Sequence, residues 1–340
     1  METHITTIIN DLSELGHHIL LYTASTSPSV LSQINSGRFK VLSWADGSID
    51  AIKSFDPHII HAHPFTAIVT GKELAIQLNK PLIVTMHGIY DLGFDDSPLG
   101  HDVSPHVKRI IAVDLRVALF LLNRVIEPEK ISIIRNGIDF EKFHPIKKNR
   151  QKAASLGLNP DSPTISIISR FDDDKEVPII QFLRCLPELA KCVGSLNVLI
   201  IGDGGKLKEV KAAIPRKLPN GVRVKLLGWQ ENVSEFYALS DLVFGSGRVA
   251  LEALACKVPV YAMWDGFGEL ITKYNHDAVM SGIAFKQISD SQLIYNLSEI
   301  LKKKDLLYQS AQEGYELVKS NYNSKKIAKQ LIRIYEQYSH

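Results

Sequence analysis

The sequence has 340 residues, more than one hydrophobic core usually organises, so it predicts two domains. Hydrophobic residues make up 45% of the chain and charged residues 22%, a balance that excludes an extensively disordered protein. Lysine and arginine total 39 and aspartate and glutamate 37, so the net charge of +2 gives no electrostatic basis for nucleic-acid binding. The three cysteines (Cys185, Cys192 and Cys256) lack metal-site spacing and fit a reducing, cytoplasmic compartment.

The first predicted element is a helix. Isoleucine and leucine recur at helical spacing over residues 1–15, and Gly16 stands where a helix commonly ends. A doubly wound domain normally opens on a strand and a turn. The sequence therefore predicts either an N-terminal domain whose first strand is absent or a reading frame that begins late.

Eleven runs rich in β-branched residues come next, and each is followed by a stretch of helical periodicity. The predicted strands cover residues 19–25, 40–45, 59–63, 81–87, 109–114, 131–135, 164–170, 197–202, 222–228, 241–244 and 259–263. Some runs are apolar throughout, which is typical of strands covered on both faces of a parallel sheet. Strands that alternate with helices predict an α/β protein with doubly wound, Rossmann-like sheets.

The alternation breaks once, between Asn136 and Thr164, where Asn136-Gly137, Pro145 and a basic cluster indicate a connection. We expect an N-terminal domain over residues 1–148 and a C-terminal domain over residues 149–340, which face each other across a cleft. We expect the last helix, residues 324–340, to pack back on the N-terminal domain.

Ligands of open parallel sheets bind at the carboxyl ends of strands, so polar groups there are candidate site residues. Arg170 ends one predicted strand and Lys175 follows five residues later. A guanidinium and an ammonium on one loop suit a diphosphate. The alternative, which these residues taken alone favour, is neutralisation of Asp172, Asp173 and Asp174 on a solvated surface. The three aspartates also raise the alternative of a divalent-metal site, for which nothing else in the sequence completes a coordination shell.

Two further strand ends carry glycines. Residues 202–205 (GDGG) allow the backbone to approach a ligand closely, although any strand-to-helix turn favours glycine. Residues 245–248 (GSGR) lead directly into a helix that contains Glu252. The first N–H groups of that helix suit a phosphate, and Arg248 adds positive charge. Glu252 suits ribose hydroxyls or, alternatively, the dipole of its own helix.

Three histidines also lie at strand ends. His61 and His63 share one face of a predicted strand, which resembles half of a metal site, but no third ligand with suitable spacing is evident. His87 ends the next strand and suits a neutral hydrogen-bonding or proton-donating role. A histidine satisfied within the core is the alternative for each of the three.

Taken in order, these segments resemble the retaining glycosyltransferases of family 4, which have the GT-B fold. The motifs that carry the resemblance are His58-Ile59-Ile60-His61-Ala62-His63, Thr85-Met86-His87-Gly88, Asn136-Gly137-Ile138-Asp139 with Phe143, Ser169-Arg170 with Lys175, Gly202-Asp203-Gly204, and Leu251-Glu252-Ala253-Leu254-Ala255-Cys256 with Pro259-Val260. They span nearly the whole chain.

The resemblance implies transfer of a sugar from a nucleotide-diphosphate donor, expected to be UDP-linked, to an acceptor hydroxyl with no metal and no cofactor. It implies that Arg170 and Lys175 hold the diphosphate, that Glu252 binds the ribose, and that His87 reaches the donor sugar. The other donor-binding residues that it implies are Gly204, Trp229, Ser246, Gly247 and Arg248. Attack from the face that the nucleotide leaves would retain the anomeric configuration.

The chain departs from the family pattern at three places. Counting back from Glu252, the first of two motif glutamates is replaced by Phe244, and the connection between strand and helix is shortened. Lys257 stands where the pattern has glycine, which is expected to affect the helix end more than the chemistry. The first strand and its glycine-rich loop have no counterpart before Met1.

Three hypotheses follow from this pattern. The first is a retaining glycosyltransferase of the hexosyltransferase type that acts in cell-surface glycan or glycolipid synthesis. The second, motivated by Phe244 and the missing strand, is a non-catalytic protein that binds nucleotide sugars. The third is a sugar-nucleotide epimerase of the GT-B fold, which would act on the donor without an acceptor.

The longest apolar stretch, residues 110–126, contains Asp114, Arg116 and Asn123, which does not fit a membrane span. We expect a cytoplasmic protein whose acceptor is a glycan, a lipid-linked molecule or a small molecule. Peripheral contact with the inner membrane face would involve the basic residues between 147 and 150 and the apolar residues 117–122. The alternative is that these segments are a solvated linker and a core helix.

Overall fold

The computed structural model describes residues 2–25, 28–35, 37–45, 49–64, 66–89, 95–172, 174–264, 267–280 and 288–339. The chain forms two compact units: the first comprises Met1–Asp139 and Tyr322–His340, and the second comprises Phe140–Asn321. The division falls after Asp139, whereas the sequence placed the boundary at residue 148. The residues between belong to the second unit, where Phe143 packs edge-on against Tyr237 with ring centroids 6.2 Å apart.

The first unit opens on a helix and contains a parallel sheet. The strands in its described residues are β1 (Ile19–Thr23), β2 (Phe39–Ser43), β3 (Ile60–Ala62), β4 (Leu82–Met86), β5 (Val107–Ala112) and β6 (Ile131–Ile133). The helices that precede residue 139 are α1 (Glu2–Glu14), α2 (Pro28–Leu31), α3 (Ile49–Phe55), α4 (Thr66–Leu78), α5 (Pro98–Val103) and α6 (Leu115–Leu122). Strands β3 to β6 form the sheet in sequence order, and β1 and β2 form a separate parallel pair.

The core of the first unit forms because its central strand is apolar along its length. All five residues of β4 are buried, as expected for a strand covered on both faces. Helix α6 buries Val117, Ala118 and Leu121 against this sheet. Asp114 begins α6, since its carboxylate accepts a hydrogen bond from the Val117 N–H at 2.7 Å.

The second unit contains a larger sheet. Its described strands are β7 (Thr164–Ile168), β8 (Leu196–Ile201), β9 (Val222–Gly228), β10 (Leu242–Phe244), β11 (Val260–Trp264) and β12 (Phe267–Leu270). Its described helices are α7 (Arg150–Ser155), α8 (Glu176–Val193), α9 (Leu207–Ala213), α10 (Ser234–Tyr237), α11 (Gly247–Ala255), α12 (His276–Met280), α13 (Asp290–Lys302) and α14 (Lys304–Asn321).

The sheet order of the second unit is β12-β11-β10-β7-β8-β9. Strands β7 to β11 are parallel, so their carboxyl ends meet at one edge, whereas β12 pairs antiparallel with β11. All eleven strands predicted from the sequence are present. Strand β12 was not predicted, because four residues that include a glycine are too few to establish an alternating pattern.

The last helix, α15 (Ser324–Glu336), belongs to the first unit. Its apolar residues Ile327 and Leu331 pack with Ile8 and Leu12 of α1 in one hydrophobic cluster. The N–H of Ile138 donates to the Tyr322 carbonyl at 2.6 Å just before this helix. No helix in the described ranges is both long enough and apolar enough to cross a bilayer.

Candidate functional site

Arg170 and Lys175 lie on one loop after β7, and their charges interact. The pKa of Lys175 is lowered from its ordinary value first by burial and then by the positive charge of Arg170, while Asp172 opposes the shift. The Arg170 guanidinium lies 3.5 Å from Asp172 and is 76% exposed, so this ion pair is long and open to solvent. Two cations held close together on an exposed loop can bind a dianionic group.

Two of the three aspartates of this loop, Asp172 and Asp174, lie within the described residues. Asp173 lies outside the described residues, and Asp172 is engaged with Arg170. Among the described side chains, no group of three histidine, cysteine, aspartate or glutamate residues is placed to hold a metal ion.

The loops after β7 and β8 are joined by backbone hydrogen bonds. Phe171 donates its backbone N–H to the Asp203 carbonyl at 2.9 Å, and Lys206 donates its backbone N–H to the Phe171 carbonyl at 2.7 Å. Gly204 lies at this contact with φ +151°, and a Cβ added there would approach the Phe171 carbonyl oxygen to 2.6 Å. Only glycine therefore fits, which brings Gly204 beside the loop of Arg170 and Lys175.

Trp229 follows β9 at the same edge of the sheet. Its side chain is 65% exposed, although tryptophan is usually well buried. The neighbouring Gly228 accepts a hydrogen bond from the Gly202 N–H at 2.9 Å, so the Trp229 loop adjoins the glycine loop after β8. An exposed indole at this edge can stack on a flat ring.

Helix α11 begins directly after β10. Gly247 has a φ of +58°, a conformation that glycine adopts without strain, and this allows the sharp change from strand to helix. Ser246 occupies the N-cap position, but its hydroxyl makes no capping hydrogen bond. The first N–H groups of a helix have no partner within the helix, so this end suits an anion. Since β10 pairs with β7, the helix begins beside the strand that precedes the Arg170 loop.

Glu252, in the second turn of α11, is a buried carboxylate with two partners. It is 7% exposed, accepts a hydrogen bond from Arg248 Nε at 2.8 Å on Oε1, and accepts another from the Tyr237 hydroxyl at 3.0 Å on Oε2. Burial raises its pKa, whereas Arg248, Tyr237 and the charge of Lys142 lower it. Sequence reasoning missed both Tyr237 and Lys142. It missed Tyr237 because that residue has the spacing of an ordinary core aromatic residue.

Phe244 does not lie at the site. It is 2% exposed, stacks on Tyr261 with centroids 5.8 Å apart, and packs against Phe182. The connection between β10 and α11 is short. The position eight residues before Glu252 therefore falls in the buried strand β10. Lys257 has a φ of +56° at the end of α11, and its ammonium lies 4.7 Å from the Tyr315 ring centroid.

The three predicted histidines come together in the first unit. His63 Nδ1 lies 2.8 Å from His87 Nε2, and the ring of His61 stacks on that of His63 at 4.6 Å. His4 of α1, which sequence reasoning did not single out, contacts His87 edge-on at 5.0 Å. Burial lowers the pKa of His63 to about 4 and that of His87 to about 2, so both are neutral near pH 7.

The predicted residues thus form two groups. One group lies at the carboxyl edge of the second unit's sheet and comprises Arg170, Lys175, Gly204, Trp229 and the segment from Ser246 to Glu252. The other is His87, which follows β4 in the first unit.

Two protein-family models match the chain, and several known proteins are similar to it in sequence. Residues 1–142 match the family model described as Glycosyltransferase Family 4, and residues 148–317 match the model described as Glycosyl transferases group 1. The chain is 30% identical over 226 residues to the UDP-Gal:alpha-D-GlcNAc-diphosphoundecaprenol alpha-1,3-galactosyltransferase of Escherichia coli, a match that covers 59% of this chain and 56% of that protein. It is 25% identical over 297 residues to the N-acetyl-alpha-D-glucosaminyl L-malate synthase of Bacillus anthracis, covering 82% of this chain and 73% of that protein.

Two solved structures resemble the chain over nearly its whole length. HepE from Anabaena, solved with UDP and glucose, has a TM-score of 0.74 at 18% identity and covers 99% of this chain and 95% of its own. A glycosyltransferase from Rickettsia africae has a TM-score of 0.77 at 18% identity and covers 99% of this chain and 94% of its own. At this identity the likeness establishes the fold, and it confirms the GT-B class that the sequence predicted.

Proposed function

The chain belongs to glycosyltransferase family 4, and from that premise we propose that it transfers a hexosyl group from a UDP-linked sugar to an acceptor hydroxyl, with retention and without a metal. The observation that carries the proposal is the coupled pair Arg170 and Lys175 beside Gly204 and the start of α11. Positive charge placed where a nucleotide diphosphate departs is the electrostatic stabilisation that such a transfer needs.

The diphosphate, the ribose and the base each have a proposed counterpart at the carboxyl edge of the second unit. Arg170 and Lys175 hold the diphosphate, assisted by backbone N–H groups near Ser246, Gly247 and Arg248. Glu252 accepts hydrogen bonds from the ribose, since a carboxylate has lone pairs beyond the two that Arg248 and Tyr237 use. Trp229 borders the base, and Gly204 lets the loop approach the donor. For the donor sugar itself we propose His87, which follows β4.

Uridine as the base is supported by relatives rather than by a contact in this chain. The Escherichia coli relative is named for UDP-Gal, and HepE was solved with UDP. The two cations supply the positive charge that a divalent metal would otherwise bring to the diphosphate, which supports metal independence.

We further propose a lipid-linked acceptor and peripheral contact with an anionic membrane surface on the cytoplasmic side, in cell-surface glycan or glycolipid synthesis. The support is helix α6, whose buried face leaves Leu115, Leu119 and Leu122 exposed on the opposite side. Arg116 lies on the helix and Arg124 follows it, and α6 itself has no acidic residue. An apolar stripe beside arginines complements an anionic lipid surface.

The basic residues near 147–150 are a weaker candidate for membrane contact than α6, because acidic residues pair with two of them. Lys148 pairs with Asp241 at 2.6 Å and Arg150 with Asp161 at 2.5 Å, which neutralises two of the charges that the sequence offered for the membrane. Flotation with vesicles of anionic and of neutral lipid tests the contact. We expect binding to anionic vesicles that Leu119→Ser with Leu122→Ser abolishes, and equal binding by the variant would exclude the α6 face.

A nucleotide panel tests the donor. Thermal unfolding with UDP, GDP and ADP at one shared concentration should show stabilisation by the nucleotide that binds, about 2.7 kcal/mol where that concentration is a hundredfold above its dissociation constant. Release of UDP from UDP-sugars, with and without lipid-linked and soluble acceptors and in the presence of a chelator, then tests turnover and metal independence. Anomeric analysis of the product tests retention.

The competing hypothesis is a non-catalytic protein that binds nucleotide sugars. It is favoured by the short connection between β10 and α11, which leaves Phe244 in the core where the family pattern has a glutamate. UDP binding without turnover across the acceptor panel would establish it, and turnover with any acceptor would eliminate it.

A further inference from the structure

The side chains of Arg248 and Glu252 pair along one face of helix α11. The two residues are four positions apart, and Arg248 Nε donates a hydrogen bond to Glu252 Oε1 at 2.8 Å. Residues at this spacing lie one turn apart on the same face of a helix, so the pair forms without rearrangement of the backbone. The guanidinium that the sequence assigned to a phosphate is therefore engaged by a carboxylate of its own helix.

The charge of Glu252 depends on this partner because the carboxylate is buried. The side chain of Glu252 is 9% exposed and that of Arg248 is 27% exposed. Burial raises the pKa of Glu252, and the charge of Arg248 is the first of the effects that lower it. A buried carboxyl group without a cationic partner takes up a proton instead of remaining charged. Arg248 thus favours the ionised form of Glu252.

The other titratable groups near Glu252 in the described chain compensate its charge less. Tyr237 of α10 donates a hydrogen bond at 3.0 Å but is neutral, since burial and the charge of Glu252 raise its pKa well above the ordinary value. Lys142 lowers the pKa of Glu252 through its charge, and less than Arg248 does. Burial raises the pKa of the Cys256 thiol to about 12, so this neighbour is also neutral near pH 7.

Arg248 can act on a nucleotide in two ways, directly at the diphosphate or through the acid beside it. An ionised carboxylate offers only acceptors, as ribose hydroxyls require, whereas a protonated carboxyl loses acceptor capacity to its own proton. We infer that Arg248 is a positioning residue that acts through Glu252 and keeps this carboxylate ionised and oriented for the ribose. The diphosphate is then left to Arg170 and Lys175. The inference rests on the proposed function, which takes Glu252 as the ribose ligand.

The first test requires neither ligand nor activity. Arg248→Met removes the charge and keeps an unbranched side chain, so we expect Glu252 to take up a proton at a higher pH than in the wild type. Infrared spectroscopy over a pH series follows the carbonyl stretch of the protonated carboxyl, and Arg248→Met with Glu252→Gln assigns the band by removing it. Arg216→Met, at an exposed arginine, is the matched control and should keep the wild-type titration.

Arg248→Lys, which keeps the charge, should titrate like the wild type. If Arg248→Met does not fold, Arg248→Gln repeats the test, since it keeps a donor without the charge. An unchanged titration of Glu252 in the folded, uncharged variant would overturn the inference.

Nucleotide binding provides the second test. Calorimetric titration with UDP and with 2′,3′-dideoxy-UDP, which lacks both ribose hydroxyls, separates contacts to the ribose from contacts to the diphosphate. In Arg248→Met we expect the dissociation constant for UDP to rise about tenfold near pH 7, as for the loss of one hydrogen bond to a charged group, and that for the dideoxy analogue to stay within about twofold. The loss should shrink as the pH rises, because Glu252 of the variant ionises again. Arg248→Lys should recover most of the affinity.

Arg170→Ala provides the contrast, since it should weaken the binding of UDP and of the dideoxy analogue by similar factors. Similar losses for both nucleotides in Arg248→Met would place Arg248 at the diphosphate and overturn the inference, and so would a loss that is constant with pH. Failure of the proposed function would appear separately, as UDP binding by the wild type with no sugar transfer to any acceptor, while both Arg248 results stand.

Discussion

The Tyr237 hydroxyl donates a hydrogen bond to Glu252 Oε2 at 3.0 Å, across the two helices α10 and α11. Arg248 holds the other carboxylate oxygen at 2.8 Å. Burial raises the pKa of Glu252, and these two partners oppose that shift. The acid proposed for the ribose is thus fixed in one orientation before any ligand arrives, which reduces the entropy that binding must overcome.

Tyr237→Phe should weaken UDP binding without removing it. The variant leaves a buried carboxylate oxygen with one donor fewer, so we expect a UDP dissociation constant about 3- to 10-fold higher and an unfolding free energy about 1 to 2 kcal/mol lower. Calorimetric titration and urea unfolding measure the two quantities. Tyr295→Phe, at an exposed tyrosine, is the matched control and should change neither. Lower stability with unchanged UDP affinity would mean that Glu252 is only structural.

Arg170→Ala and Lys175→Ala should each raise the UDP dissociation constant about tenfold or more, since charge-assisted hydrogen bonds to phosphate are worth about 1.5 to 3 kcal/mol. The affinity of the wild type should fall as salt rises, and less steeply in the variants. The control is Lys211→Ala, which removes an exposed lysine from the last turn of α9. Wild-type affinity in both variants would remove the diphosphate site.

Phe244→Glu should unfold the protein rather than recreate the motif glutamate. The substitution puts a carboxylate between Phe182 and Tyr261, inside the apolar core of the second unit, and we expect a loss of more than about 4 kcal/mol. Phe244→Leu, the apolar control, should cost about 1 to 2 kcal/mol. A folded Phe244→Glu protein with increased turnover would show that position 244 reaches the ligand.

Lys257→Gly should be more stable than Lys257→Ala by about 1 kcal/mol, because only glycine adopts the φ of +56° without strain. Both variants lose the contact of the Lys257 ammonium with Tyr315, so their difference isolates the backbone. Chemical unfolding of the pair measures it. Equal stabilities would mean that the end of α11 relaxes when Lys257 is replaced.

Acid should destabilise the histidine cluster. The pKa of His63 is about 4 in the folded protein against 6.5 in the unfolded chain, so below pH 6.5 the unfolded state binds more protons. Stability from this group is complete above pH 6.5 and falls toward pH 4, by about 1.4 kcal/mol per unit. Asp11, whose pKa burial raises to about 6, acts in the opposite direction over part of this range.

The difference between wild type and His63→Phe therefore reports the His63 contribution together with the effect of His63 on the pKa values of His61 and His87. We expect the variant to lose less stability than the wild type between pH 6.5 and pH 4, as measured by urea unfolding at each pH. His17→Gln, at an exposed histidine of the same unit, should keep the wild-type slope. Parallel stability profiles for wild type and His63→Phe would contradict the neutral, buried state of His63.

The strands and the edge of the candidate site could be predicted because their signals are local. A run such as Ile165–Ile168 indicates a buried parallel strand wherever it lies, and the glycines of residues 202–205 indicate a strand-to-helix turn. The resemblance implied that Arg170 and Gly204 serve one donor, and their loops follow the neighbouring parallel strands β7 and β8 and are joined by backbone hydrogen bonds.

The sequence by itself determined the alternation of strands and helices, the charged and glycine-rich strand ends and the family, because each depends on residues near one another in the chain. Only the tertiary structure decided that Phe244 is a core residue, that Tyr237 and Arg248 orient Glu252, and that His63 pairs with His87 across 24 residues. Such pairings arise from the packing of separate elements, and no local spacing encodes them.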